Sequence, residues 1–313
     1  MPNKAQDPLS SVVALLKPKP SISKMVEAGG PWRVERHDLS SPFYCAVVEG
    51  GCHLEITGRD PVELVAGDFV LIPDLQSFAM YGEAAPMPRA AHLPIETGPG
   101  RFRLGPSNAP VEVRVLVGHC RFEAPGKELL LSLLPEMIHV RGEERLMALV
   151  PVIHDETRSD RLARTMILER LLEVLFIEAL RSNSGATLLP GLLRGLSDPQ
   201  LAGALRQIHA DMTGSLSIAD LARNVGMSRS GFFERFRKEV GKAPMEYAAT
   251  WRMAVAKQLL LDGGLTNTEI ALQIGYGSAS AFGLAFMRHE GMSPGAFARS
   301  HKETGFQSIG AQS

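Results

Sequence analysis

Between Trp32 and Val117 the apolar residues recur in short alternating runs broken by Gly, Pro and Asp, the period-two pattern of half-buried strands. The run FYCAVVEGGCHLEITG reads as two strands joined through Gly50-Gly51, a hairpin signal. PVELVAGDFVLIPDLQSFAMYG repeats the style, with Gly67-Asp68 as its turn and Pro73 ending a strand. In VEVRVLVGHCRFE, Val113, Val115 and Val117 alternate with polar or outward positions. Several short strands at this spacing predict a small barrel or sandwich.

The period then changes. SDRLARTMILERLLEVLFIEALRS predicts a helix with Ser159 or Asp160 as its cap. Its apolar positions Leu162, Met166, Ile167, Leu171, Val174, Leu175 and Ile177 spread over more than half the circumference, so more than one side must be covered. A second subunit could supply that cover, or the barrel and linker could. RSNSGATLLPG is the best domain break. Beyond it the chain reads as helices throughout. DPQLAGALRQIHADM starts with Asp198 as cap and Pro199 at the first helical position. SIADLARNVG and SRSGFFERFRKEVG follow; a longer helix, MEYAATWRMAVAKQLLLDG, separates them from NTEIALQIG and SASAFGLAFMRHEG. SPGAFARS starts a last short helix.

The two short pairs are copies of one unit. Ser228, Phe232, Phe236, Gly241 and Pro244 match Ser278, Phe282, Phe286, Gly291 and Pro294 at one constant offset. In each copy a short helix carries Ala at an inner position (Ala222, Ala271) and ends at Gly (Gly226, Gly275). A three-residue turn then leads to a capping Ser and a second helix with Phe at i and i+4. Small residues allow a close crossing and Gly accepts the left-handed turn, which is the layout of a helix-turn-helix. With Phe232 at zero, steps of about 100° put Phe236 and Val240 on its side, and Ser230, Glu234 and Arg237 opposite. Phe233 and Lys238 flank the outer face. The rings are packing; the charges form the exposed edge.

Composition is that of an ordinary globular chain: 313 residues, 45% hydrophobic and 21% charged, long enough for two domains. The N-terminus MPNKAQDPLSS lacks the apolar core of a secretion signal and no apolar run approaches a membrane span, so cytoplasm and no membrane partner are expected. Cys45, Cys52 and Cys120 are odd in number and lack metal-type spacing; they read as buried apolar side chains. A net charge of −1 hides an asymmetry, since from Gln200 onward there are twelve Lys/Arg against nine Asp/Glu. So mild an excess does not by itself imply a nucleic-acid partner; placement has to decide.

The stretch from LSIADLARNVGMSRSGFFERFRKEVGKAP to GMSPGAFAR resembles the DNA-binding domain of the AraC/XylS transcription regulators. The likeness covers nearly all of residues 200–299 and rests on GMSRSGFFERF, P-x-x-Y-x-x-x-WRM and IGYGSASAF…G-x-SPGAF. Upstream, DPLSSVVALLKPKPSISKMVEAGGPWRV, AGDFVLIP and GLLRGLSDPQLAGALRQIH resemble the branch with an N-terminal cupin-type sensor barrel. The implied fold is α+β: a cupin-like barrel (1–125), a helical dimerisation and linker region (126–190), an all-α domain with two helix-turn-helix units (191–302, units at 218–239 and 267–290) and a tail (303–313). The resemblance implies double-stranded DNA as partner, a homodimer, an unidentified small-molecule effector, RNA polymerase as a further partner, and no cofactor. The family's base-reading positions fall on Ser230, Phe233 and Glu234, with Arg229, Arg237 and Lys238 suited to phosphates. Family members often have Arg where Glu234 stands. In the second unit Ser278, Ser280, Leu284, Met287 and Arg288 face the groove, and cations are common where Leu284 and Met287 stand. The first unit is therefore expected to carry most specificity.

Cupin barrels are often metalloenzymes, so an enzyme fused to a DNA-binding tail stays open beside the sensor. The first metal motif's two-histidine place reads PFYCAVVEGG, with Phe43 and Tyr44, and the second motif's histidine is replaced near LQSFAM by Ser77 and Phe78. His37, His53, His92 and His119 are scattered, each a surface or hydrogen-bonded barrel residue in the plainer reading, and neither metal nor catalytic residues are expected. Trp32, Phe43, Tyr44 and Phe78 are the candidate pocket lining. A third reading makes Cys52 or Cys120 an oxidant sensor.

Overall fold

The computed structural model describes residues 7–37, 41–83, 93–122, 127–131, 133–182, 191–213 and 217–307. His92 and most of the expected break at 181–191 lie outside them. The chain divides into two compact units, one of Lys17–Glu123 and Pro135–Ala186, the other of Met1–Leu16, Ala124–Leu134 and Thr187–Ser313.

The first unit holds every described strand: β1 Pro18–Ala28, β2 Arg33–Arg36, β3 Ser41–Glu49, β4 Gly51–Ile56, β5 Val62–Val65, β6 Asp68–Leu75, β7 Phe78–Tyr81, β8 Ile95–Gly98, β9 Arg101–Leu104, β10 Val113–Phe122 and β11 Ile138–Arg141. They form a seven-stranded sheet in the order β11-β6-β3-β10-β1-β9-β8 and a four-stranded sheet in the order β2-β7-β4-β5. The two glycine turns are not hairpins. β3 pairs with β10 and β6, whereas β4 pairs with β5 and β7. At Gly50 the chain therefore leaves the large sheet for the small one, and at Gly67 it returns. Dipeptide chemistry specifies a tight turn but not whether the flanking strands share a sheet. Pro73 stands inside β6 rather than at its end. The register with β3 shifts between Ser41 and Phe43, opposite this proline, so the missing N–H falls at an irregularity of the ladder.

Cys45, Val47, Leu54, Leu64, Val70 and Ile72 form the heart of the core shared by the sheets. The outer face of the large sheet is covered by α3 (Glu144–Thr157) and α4 (Arg164–Ser182), which numbers Leu168, Leu172, Leu175, Phe176, Ala179 and Leu180 among its buried residues. Tyr44 is buried on β3 directly opposite Gly118 of β10, and a Cβ on Gly118 would stand 2.0 Å from its ring. Only glycine leaves room there. Asp68, almost fully buried, accepts from the Val65 N–H at 3.1 Å and meets His139 Nε2 at 3.0 Å, fastening β6 to β11.

The second unit contains α1 (Pro8–Leu16), α2 (Lys127–Leu131), α5 (Leu192–Ser197), α6 (Pro199–Ala210), α7 (Ile218–Asn224), α8 (Arg229–Val240), α9 (Pro244–Asp262), α10 (Asn267–Gln273), α11 (Ala279–Glu290) and α12 (Pro294–Gln307). This grouping differs from the expected partition: α1, with Leu9, Val12, Val13 and Leu16 buried, joins the C-terminal helices, while α3 and α4 belong with the sheets. The reason is non-local, since an apolar stripe records that a helix must be covered but not by what. Asp198 caps α6 as its sequence predicts, accepting from Gln200 N–H at 3.0 Å and Leu201 N–H at 3.2 Å. α4 begins five residues after the expected cap; the Ser159 hydroxyl instead donates to the Glu156 carbonyl. α12 is a full fourteen residues, not a short helix.

Candidate DNA-binding face and barrel cavity

Each helix-turn-helix is assembled by local chemistry. Ser217 and Asp220 form a capping box on α7, Thr266 and Glu269 one on α10, and these bonds hold both carboxyls below the usual carboxylate range. The inner alanines Ala222 and Ala271 are buried, so the paired helices cross closely. In the first turn Gly226 adopts φ +70° and the Met227 N–H donates to the Ala222 carbonyl at 2.9 Å. In the second, Gly275 adopts φ +81° and the Tyr276 N–H donates to the Ala271 carbonyl at 2.8 Å. The second turn is one residue longer than the first, because Gly277 is inserted before the cap Ser278. Ser228 and Ser278 then cap the second helices through Gly231 and Ala281 N–H, at 3.2 Å and 3.1 Å.

Burial sorts the second helices as helical phase predicts. Phe232, Phe236 and Val240 are buried, with Phe232 and Phe236 5.5 Å apart and Tyr247 of α9 edge-on to Phe236. Truncating either ring to alanine should cost about 3–5 kcal/mol. Arg229, Ser230, Glu234, Arg237 and Lys238 are exposed and Phe233 is half-buried. None of these three cations has an ion pair among the described residues. Arg235 does: it is held by Asp198 and donates to Gln200 Oε1 at 3.1 Å, so it ties α8 to α6. In the second unit Phe282 and Phe286 are buried against Met253, Ile270 and Phe297, while Ser278, Ser280, Leu284, Met287 and Arg288 are exposed. Leu284, at 71% exposure, has no packing role to explain it. Lys257, nearly buried on α9, meets Glu290 at 2.7 Å and pins the end of α11. Behind the first unit His209 stacks 3.9 Å from Trp251 and shares a 2.7 Å hydrogen bond with the Tyr247 hydroxyl; burial pushes its imidazole down to about 3.

The barrel contains a cavity of about 80 Å³. Trp32, Phe43 and Phe78 line it; Tyr44 does not, because it alternates with Phe43 along β3 and lies on the opposite face. Three polar side chains beyond the expected lining also face it: Lys24 of β1, Arg36 of β2 and His119 of β10. The signal was available, since the alternation Val113, Val115, Val117 reaches His119 at its next step. Lys24 lies over the Phe102 ring at 4.6 Å, and neither it nor Arg36 has a carboxylate partner among the described residues. Burial first, then the charges of Lys24 and Arg36, push His119 down to about 4.

Other candidates are placed elsewhere. His37 is exposed near Glu35, and His53 stacks on Tyr81. Ser77 shares a 2.8 Å hydrogen bond with Thr57. Among the described residues no three His, Cys, Asp or Glu side chains gather as a metal site. All three cysteines are buried, and burial pushes Cys52 up to about 12 and Cys45 and Cys120 well above the ordinary thiol range. Their thiolates are thus suppressed, which disfavours the oxidant-sensor reading. No described helix is long and apolar enough to cross a membrane.

A sheet-built unit enclosing a cavity, followed by twin helix-turn-helices with exposed second helices, defines a DNA-binding regulator with an N-terminal barrel. Residues 7–184 match the family model described as Cupin, and residues 221–300 the one described as Helix-turn-helix domain. An AraC-like transcription regulator of Streptomyces lividans is 34% identical over 298 residues, covering 92% of this chain and 97% of that protein. The RCS-specific transcriptional activator RclR of Escherichia coli is 25% identical, covering 93% and 96%. The solved structure of ToxT from Vibrio cholerae covers 90% of this chain and 96% of its own at 11% identity, with a TM-score of 0.36. The chain belongs to the AraC-like transcription regulators that carry a cupin domain.

Proposed function

We propose that this regulator reads a specific duplex sequence mainly through α8, with Ser230, Phe233 and Glu234 at base edges and Arg229, Arg237 and Lys238 on phosphates. The observation that carries this is the outer edge of α8: polar and cationic side chains exposed without ion pairs among the described residues, on a helix whose other side is locked by two buried rings. The second unit, with Leu284 and Met287 where cations would serve phosphates, docks α11 against the groove and contributes methyl contacts or shape, flanked by Ser278, Ser280 and Arg288. The barrel takes a small-molecule effector in the cavity beside Trp32, Phe43 and Phe78. The protein acts as a homodimer through the exposed side of α4, because one reading helix buries too little DNA for operator-grade affinity. Its place of work is the cytoplasm, with RNA polymerase as the second macromolecular partner and no enzymatic activity.

Selection from a random duplex library with the full-length protein tests the reading. A defined site should emerge, and Glu234→Ala should relax preference at one base pair while leaving neighbouring positions intact, a loss of about 1–3 kcal/mol in discrimination there. Failure to enrich any duplex, or an unchanged site for Glu234→Ala, counts against it.

A further inference from the structure

The cavity's chemistry is sorted along its length. β-pairing sets Lys24 beside Val117, with His119 one inward step further along β10 and beside Phe43; Arg36 lies beside Phe78. Phe43 and Phe78 are themselves 4.7 Å apart, so the three basic side chains and two rings share one end. Four residues further along β1, Ala28 pairs with Val113 and with Leu104 of β9, and Trp32 completes an end without a charged group among the described residues. The two ends are about 13 Å apart at the rise of an extended strand.

Among the described residues no Asp or Glu lines this cavity. Lys24, Arg36 and His119 are half-buried beside an apolar interior, and with no described carboxylate among the lining residues they suit an anionic guest. A second, separate observation points the same way: His119 Nδ1 is buried with no hydrogen-bond partner among the described residues. His53 Nδ1, His209 Nδ1 and Trp251 Nε1 are likewise unpaired, but of the four residues only His119 lines the cavity, where a ligand oxygen could satisfy it.

We propose that the effector is a small amphipathic anion, its carboxylate held by Lys24, Arg36 and His119 and its apolar body laid toward Ala28, Leu104 and Trp32. This rests on the reading of the barrel as an effector site and names the chemistry of what enters it. Carboxylate accepts two or more charge-assisted bonds from such a set, whereas an alcohol of the same shape leaves both cations unneutralised. The guanidinium of Arg36 suits a planar, two-oxygen head.

Titration calorimetry of the full chain with octanoate, 1-octanol and octylammonium decides it. Octanoate should bind at least about tenfold tighter than 1-octanol, the cost of losing a charge-assisted bond, and octylammonium should not bind. Lys24→Met and Arg36→Met should each weaken octanoate about tenfold and leave 1-octanol unchanged, which also shows that the variants are folded; His119→Gln, which keeps a donor, should change octanoate less than either. Equal binding of acid and alcohol, or Met variants that bind octanoate as before, would overturn the anion assignment while leaving the barrel a small-molecule site. No octanoate binding at all would overturn it too, and duplex selection by the same preparation reports separately on DNA recognition.

Discussion

Arg235 and Arg237 stand two positions apart on α8 and meet different fates. Arg235 lies about 60° from the buried Phe232 and closes onto Asp198, the residue that also caps α6. Arg237, about 140° away, has no partner among the described residues. The two substitutions to alanine should therefore separate. Arg237→Ala should weaken binding to every duplex and reduce the slope of log affinity against log salt by about one, the signature of a lost phosphate contact. Arg235→Ala, a partly exposed pair, should lower stability by about 0–1 kcal/mol with the salt slope kept. Band shifts over a salt series measure both; an unchanged slope for Arg237→Ala takes that residue off the DNA. Leu284→Ala should cost little, and a loss beyond about 2 kcal/mol would mean that α11 reads bases directly. Helical phase revealed the outward edge from sequence because it needs only spacing. The fate of Arg235 was not legible, since its partner lies far back along the chain. Lys24 and Arg36 were not legible for another reason: polar residues in strands read as outward, and only closure of the barrel turns them in, whereas the place of His119 follows from the alternation of β10.

At the scale of elements, both helix-turn-helices were legible, with the Ser228 and Ser278 caps of their second helices, because capping is local chemistry, whereas the course of β3 into β4 depends on which sheet each strand completes. α4 lies between these cases. Its predicted greasiness resolves into two faces: one buried among the sheets and α3, and a second stripe of exposed Ile167 and Val174 with half-buried Leu171 at helical spacing, and Met166 and Leu162 exposed nearby. Exposed apolar side chains in register on a helix are what a self-complementary twofold contact uses. Sedimentation should show a dimer at micromolar concentration, and Ile167→Glu with Val174→Glu should give a folded monomer. That monomer should bind a two-half-site duplex at least about a hundredfold more weakly, the loss of one half-site's contribution to affinity. A wild-type monomer at that concentration, or a charged variant that remains dimeric, removes α4 from the interface.

For the molecule as a whole, charge is less informative than its pairing. Arg223, Arg235, Lys242 and Lys257 are all tied to carboxylates, while among the described residues Arg229, Arg237 and Lys238 have no such partner, so a mild net excess in the C-terminal third conceals a concentrated one on α8. Imidazoles set the response to acid. His209 in the helical unit and His119 in the sheet unit are held near 3 and 4 by burial, and His154 is lowered by burial and Arg158. Each is neutral in folded and unfolded chains alike above the ordinary histidine range, about 6.5. Below it the unfolded chain takes up protons that the fold refuses, so stability falls as pH drops, by up to about 1.4 kcal/mol per pH unit for each such group. The lowered carboxyls of Asp220 and Glu269 also lose stabilisation in acid, but only below about pH 4.5, so the range from about 7.5 to about 5 isolates the imidazoles. His209→Gln, which keeps a partner for Tyr247, should start with a lower melting temperature at about pH 7.5 and lose less of it by about pH 5 than the parent. Differential scanning calorimetry of the full chain reads this directly. Parallel pH profiles for parent and variant would mean that His209 takes up its proton in the folded state as readily as in the unfolded one, and that the stack on Trp251 does not exclude water from the ring.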